Sequence, residues 1–244
     1  MIVHGRGIQM KNINKLITDE TLIKEYIEKG KGLFNDGEIE KAFKNFNKAI
    51  LLNNNCAEVY FIKAQAYIEL YETCEAEKCI KKYLSLVPND PKAYWMLVDI
   101  NDLSGDFDKC IYYCEKLLEN DKKNVNIYLK KAEFLAILND FNRALECFNF
   151  CLKLSPGLYD ALCGKARTLF SLHNNKASIE VYNKAIEVDN KKSNAYFGTS
   201  EVYMANGNNI NALKFAEIAY KIDPENEWYK CHYSTLKSMF ISIK

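Results

Sequence analysis

Several things are missing from this chain, and each narrows what it can be. No run of about 18 apolar residues occurs, so no transmembrane helix is indicated. No CxxC pair stands among the cysteines, and only His4, His173 and His232 could supply imidazole, so closely paired zinc ligands in two clusters are lacking. Neither sign of charge dominates: lysine plus arginine total 33 against 32 acids. That balance removes the basic excess that binding to nucleic acid or an anionic membrane requires. Prolines number four and glycines ten, and no β-branched run alternates cleanly, which leaves helix as the default. The opening stretch MIVHGRGIQMKNINKLITDET has neither the apolar core nor the cleavage site of a signal peptide. Nine cysteines, an odd number without a secretion signal, fit a reducing compartment, and the cytoplasm is expected.

What is present is globular composition, 48% hydrophobic and 27% charged, and a repeat. Stepping 34 residues at a time, one place reads Ala42, Ala76, Cys110, Ala144, Ser178 and Ala212, all small. Four residues on, the column reads Phe46, Ile80, Cys114, Phe148, Tyr182 and Ala216, sizeable except at its end. Tyr26, Tyr60, Tyr94, Tyr128, Leu162 and Tyr196 form an aromatic ladder, and Gly30, Ala64, Val98, Ala132, Ala166 and Ser200 a mostly small column. Ala49, Ala185 and Ala219 share another, from which Tyr83, Leu117 and Cys151 depart. Pro88, Pro156 and Pro224 close alternate units. Between the halves of each unit lies a turn with Gly37, Gly105, Asn139, His173 or Gly207, residues suited to positive φ.

Each unit therefore reads as helix, turn, helix, turn. Small residues recur seven apart with a bulky one between, a helical period that lets two helices approach closely. One hairpin cannot bury its apolar face alone, whereas stacked hairpins share a continuous core. Six units follow without insertion at 23–56, 57–90, 91–124, 125–158, 159–192 and 193–226.

The period, the small columns, the aromatic ladder and the closing prolines resemble the tetratricopeptide repeat family over residues 23 to 226. The resemblance implies an all-α fold, a right-handed α-solenoid of stacked antiparallel helix hairpins. It also implies a concave groove lined by the first helices and accepting a peptide. The fifth residue of each unit, a groove position in that family, is here Ile27, Phe61, Trp95, Leu129, Cys163 and Phe197. Four further on stand Lys31, Gln65, Asp99, Glu133, Arg167 and Glu201, and three beyond those Phe34, Ile68, Asp102, Ala136, Phe170 and Met204. The groove residues expected to matter are Phe61, Trp95, Asp99, Asp102, Leu129, Glu133, Arg167, Phe170 and Phe197. An apolar floor flanked by acids calls for a partner segment with apolar anchors and at least one basic residue. The competing reading is that the fifth-position aromatics pack between neighbouring first helices. Chaperone-binding members hold a carboxylate with lysine, asparagine and arginine on successive first helices; Lys31, Gln65 and Asp99 lack that pattern.

Cys110, Cys114, Cys147 and Cys151 fall on second helices in or beside inward columns, and free cysteine behaves there as a small hydrophobe. They are expected to be core, with no metal and no cofactor. No glycine-rich phosphate loop and no paired cysteine and histidine argue for catalysis, so the chain is expected not to be an enzyme. A protein–protein adaptor is the leading reading. A self-assembling repeat protein, joined through the groove or the C-terminal ISIK, is the second, and an unrecognised enzyme or metal protein the third.

At the ends, residues 1–22 are expected to form a tail or partial helix, with Met10 a natural start. Residues 227–244 are expected to form a capping helix, because Tyr229, Tyr233, Leu236 and Phe240 lie on one stripe. Lys230 and Lys237 on its other side are expected to face water.

Overall fold

In the computed structural model the backbone is described for residues 3–241 and the side chains for 19–239. Among the described residues there are thirteen α-helices and no strand. After α1 (Val3–Asn35) come α2 (Ile39–Leu52), α3 (Ala57–Glu69), α4 (Thr73–Leu86), α5 (Pro91–Ser104), α6 (Phe107–Asn120) and α7 (Val125–Ile137). Then follow α8 (Phe141–Leu154), α9 (Tyr159–Ser171), α10 (Asn175–Val188), α11 (Ser193–Ala205), α12 (Asn209–Ile222) and α13 (Glu227–Ile241). From α3 onward, the first helices begin at 57, 91, 125, 159 and 193, each 34 beyond the last. The second helices do the same from 39 through 73, 107, 141 and 175 to 209. Residues 3–22, expected as a tail or partial helix, belong to α1.

The chain forms two compact units, residues 1–106 and 107–244, the division falling in the turn between α5 and α6. In the first, α1 packs on α2, α3 on α4, and α5 on α4. In the second, each helix from α6 to α13 packs on the next, and the first helices also touch one another, α7 on α9 and α9 on α11.

The small columns are the reason hairpins close. Ala42, Ala76, Cys110, Ala144, Ser178 and Ala212 all have zero exposure. A hydroxyl in such a place must be satisfied. Ser178 donates to the Ala166 carbonyl at 2.7 Å, and Ser200 to that of Ala212 at 2.7 Å. The turns behave as their residues suggest: Gly37, Gly105, Asn139, His173 and Gly207 all have positive φ. Tyr71, the bulky member of the same column, is held at φ 60° with its side chain largely in water. Asp90, Asn124, Asp140, Asn174 and Asn208 cap their helices by accepting from backbone amides.

Two mid-helix glycines carry a packing signal that the columns above do not contain. Gly164 and Gly198 hold the sixth place of the fifth and sixth units. A Cβ on Gly164 would lie 2.4 Å from the Phe148 ring, and one on Gly198 2.2 Å from that of Tyr182. Phe148 and Tyr182 thus each seat against bare backbone of the next first helix. Where the second helix carries only Cys114, the corresponding place holds Lys130.

Over its described part, the apolar stripe of α13 packs against α12. Tyr229 and Leu236 are buried and Tyr233 half-buried, while Lys230 and Lys237 are exposed. The side chain of Phe240 and residues 242–244 of the ISIK stretch lie outside the described residues. His232 extends the contact. Because Ser200 spends its proton on Ala212, its oxygen accepts from His232 Nε2 at 2.8 Å.

Candidate functional site

The first helices of each unit carry an open cleft. In the 1–106 unit, α3 and α5 bound one of about 570 Å³, lined by Phe61, Gln65, Ile68, Lys92, Trp95 and Asp99. A smaller hollow of about 210 Å³ beside it, lined by Lys31 and Phe34 of α1, shares Gln65 and Glu69 with the first. The floor therefore continues across three helices. Trp95 is half-buried, and Asp99 exposed. Phe61 is partly spent on the second helix of its own hairpin, its ring centroid 5.1 Å from that of Tyr83. That contact belongs to the packing reading of the fifth-position aromatics.

In the 107–244 unit, a cleft of about 470 Å³ opens between α7 and α9. Its floor is apolar, from Ile137, Phe148, Cys163 and Gly164; its rim carries Glu133, Asp160 and Arg167. Glu133 pairs with Lys130 on its own helix at 3.3 Å, with both side chains well exposed, an arrangement of small net stability. Among the described residues Arg167 and Asp160 form no ion pair. Burial raises the Glu201 carboxyl, with Arg167 pulling the other way. Burial also pushes the Tyr182 hydroxyl up to about 12, again opposed by Arg167. Arg167 therefore lies in the field between Tyr182 and Glu201.

The other expected groove residues are placed differently. Asp102 is exposed near the end of α5 and does not line the cleft of Trp95 and Asp99. Leu129 is half-buried but outside the lining of the second cleft, and Phe170 packs against the core that α9 shares with α10 and α11. Phe197 is covered by α13, its ring centroid 4.9 Å from Tyr229 and 5.1 Å from His232. Sequence columns could not separate these cases, because they fix the face of a helix and not what the next helix lays upon it.

The buried cysteines and Cys163 sit in settings hostile to thiolates. Cys110, Cys114, Cys147 and Cys151 are buried. Burial pushes the Cys114 thiol up to about 12 and that of Cys151 up to about 11. Cys163, inside the cleft, is likewise pushed up to about 11 by burial. A nucleophilic cysteine needs the opposite shift. Among the described residues no group of three or more His, Cys, Asp or Glu side chains gathers as it would for a metal ion. Among those residues no helix is long and apolar enough to cross a membrane.

A family model described as tetratricopeptide repeat matches residues 57–90, 91–124, 125–157 and 159–192, together more than half of the chain. Hsp70-Hsp90 organizing protein 3 of Arabidopsis thaliana is 30% identical over 106 residues, 43% of this chain and 19% of that protein. A TPR repeat-containing protein of Methanocaldococcus jannaschii is 25% identical over 194 residues, 77% of this chain and 33% of that one. The chain thus spans a third or less of the length of these curated relatives. Among solved structures, YrrB, titled a TPR protein with an unusual peptide-binding site, superposes with a TM-score of 0.58 at 19% identity, covering 78% of this chain and 97% of that one. The pilF protein of Pseudomonas aeruginosa gives 0.62 at 12% identity, covering 91% and 99%. At such identities the structures establish the fold alone.

Proposed function

The chain belongs to the tetratricopeptide repeat family, and from that we propose that it is a non-enzymatic protein–protein interaction scaffold that holds a peptide segment of its partner across the first helices. The observation carrying this reading is the half-buried Trp95, which stands with Asp99 and Lys92 in an open cleft of about 570 Å³. A large aromatic beside charges, with one face still open, is the usual composition of a binding hot spot. An Hsp70-Hsp90 organizing protein among the relatives and a peptide-binding site in YrrB accord with a recruiting role. The chaperone-tail mode itself is disfavoured, since Lys31, Gln65 and Asp99 do not supply a lysine, asparagine and arginine set.

The test is selection of peptides from a displayed random library against the full chain, followed by their affinity for Trp95→Ala. Loss of at least about tenfold, with helical content unchanged by circular dichroism, is expected for an aromatic anchor. Peptides that bind Trp95→Ala and the unaltered chain alike would overturn the assignment of this cleft.

Self-assembly is the second reading, and one observation favours it. The outer face of α13 presents Trp228, 79% exposed, with Cys231 and Met239 along the same stripe. Light scattering should then show a dimer at about 100 µM that Trp228→Lys converts to monomer, a concentration at which weak interfaces already associate. A monomeric unaltered chain rejects it.

A further inference from the structure

Glu133 on α7, Arg167 on α9 and Glu201 on α11 hold the same place in three successive 34-residue units. They could have closed into a ladder of ion pairs along the sheet of helices, and they do not. Among the described residues neither Arg167 nor Glu201 has an ion-pair partner, and Glu133 is tied only to Lys130 of its own helix, at 3.3 Å near the surface. Glu201 is half-buried, and desolvation raises its carboxyl despite the opposing pull of Arg167. Desolvation without a close counter-charge is unfavourable, and a cation brought in from outside would relieve it. Arg167 offers five donors; the Tyr182 hydroxyl lies within its reach, and among the described residues no carboxylate takes any of them. Glu133 and Arg167 therefore stand on the rim of the apolar cleft, and the half-buried Glu201, within the field of Arg167, continues the sequence negative, positive, negative onto α11.

We infer that this row reads the charge pattern of the bound segment: a basic residue opposite Glu133, an acidic one opposite Arg167 and a basic one opposite Glu201. Asp160, on the cleft rim two turns before Arg167 on α9, adds a second carboxylate to the cleft that the first basic residue enters. Spacing follows from geometry. Since α7 packs on α9 and α9 on α11, successive charges lie about 8–10 Å apart, the distance between packed helix axes. An extended segment advances about 3.3 Å per residue, so its charges recur about every third residue. An apolar residue between the first two falls over the floor of Ile137, Phe148 and Gly164. The pattern is symmetric in charge and so holds for either chain direction.

This inference rests on the groove reading above and commits it to one chemistry. The experiment uses the full chain and labelled synthetic peptides in fluorescence anisotropy. Lys-Leu-Ala-Asp-Leu-Ala-Lys carries the pattern; Lys-Leu-Ala-Lys-Leu-Ala-Asp has the same composition in the wrong order. The expected result is about tenfold tighter binding of the first, reduced by salt, as for a few partly screened pairs acting together. Arg167→Glu should move the preference to Lys-Leu-Ala-Lys-Leu-Ala-Lys, a reversal that lost folding could not produce. Equal affinity for the two ordered peptides, abolished by Ile137→Glu, would overturn the charge pattern while leaving the groove reading standing. Absence of binding by any of them, together with a library selection that yields nothing sensitive to Trp95→Ala, would overturn both.

Discussion

Replacing Gly198 by alanine tests the packing logic most sharply, because two effects of opposite sign compete at that position. Alanine is the better helix former, and in an open helical site the exchange stabilises by about 0.5–1 kcal/mol. At Gly198 the new Cβ would lie 2.2 Å from Tyr182 Cζ and 2.3 Å from its hydroxyl. Ordinary contact begins near 3.4 Å, so the ring must retreat by about 1.2 Å. That ring is 2% exposed and packed within the core of α9, α10 and α11. Overpacking of this kind costs about 1–3 kcal/mol, and so short a contact belongs at the upper end. The net expectation is a loss of about 2 kcal/mol, or a midpoint roughly 4–8 °C lower. The control is Gly32→Ala in α1, where nothing lies within 4 Å of the added atom and a small gain is expected. Urea unfolding followed by circular dichroism measures both, and Tyr182→Leu supplies the double-mutant cycle: with the smaller side chain, Gly198→Ala should lose most of its penalty. If Gly198→Ala is as stable as Gly32→Ala, the claim that bare backbone here receives the aromatic ring is refuted.

Other outcomes follow from single sites. Tyr71, at φ 60° with its ring 77% exposed, keeps a strained turn for no packing return, so Tyr71→Gly should raise stability by up to about 1 kcal/mol in the same urea titration. Burial holds the His232 imidazole below its ordinary value of 6.5. As pH falls below that value the unfolded chain takes up the proton first; the stability present above it is lost toward the lowered folded value. Thermal midpoints should therefore fall on acidification by more in the unaltered chain than in His232→Gln, and parallel profiles would contradict this. In native protein, Ellman's reagent should react promptly with exposed Cys74 and Cys231 and leave Cys110 and Cys114 untouched until denaturant is added. Rapid native reaction at Cys114 would show that its column is not core.

Much of the fold was legible beforehand, for a physical reason visible in particular columns. A second helix can approach only where side chains are alanine-sized, so Ala42 through Ala212 had to recur at the repeat length, and all are buried without remainder. The turn column was equally legible, since Gly37, Asn139 and His173 tolerate the backbone that the turn requires. Gly164 and Gly198 went unread. Their meaning lies in pairs 16 residues back, Phe148 and Tyr182, and a column at fixed spacing lists sizes without saying which atoms meet.

For the clefts, the sequence alone settled which helix face each candidate occupies, because the helical period assigns faces residue by residue. Only the tertiary structure decided which of those faces remains open. Trp95 and Asp99 share a cleft, as do Glu133 and Arg167, while α13 lies over Phe197 and the core takes Phe170. Exposure is a property of what neighbouring helices leave uncovered, and that depends on contacts between residues far apart in the chain, which local spacing does not encode.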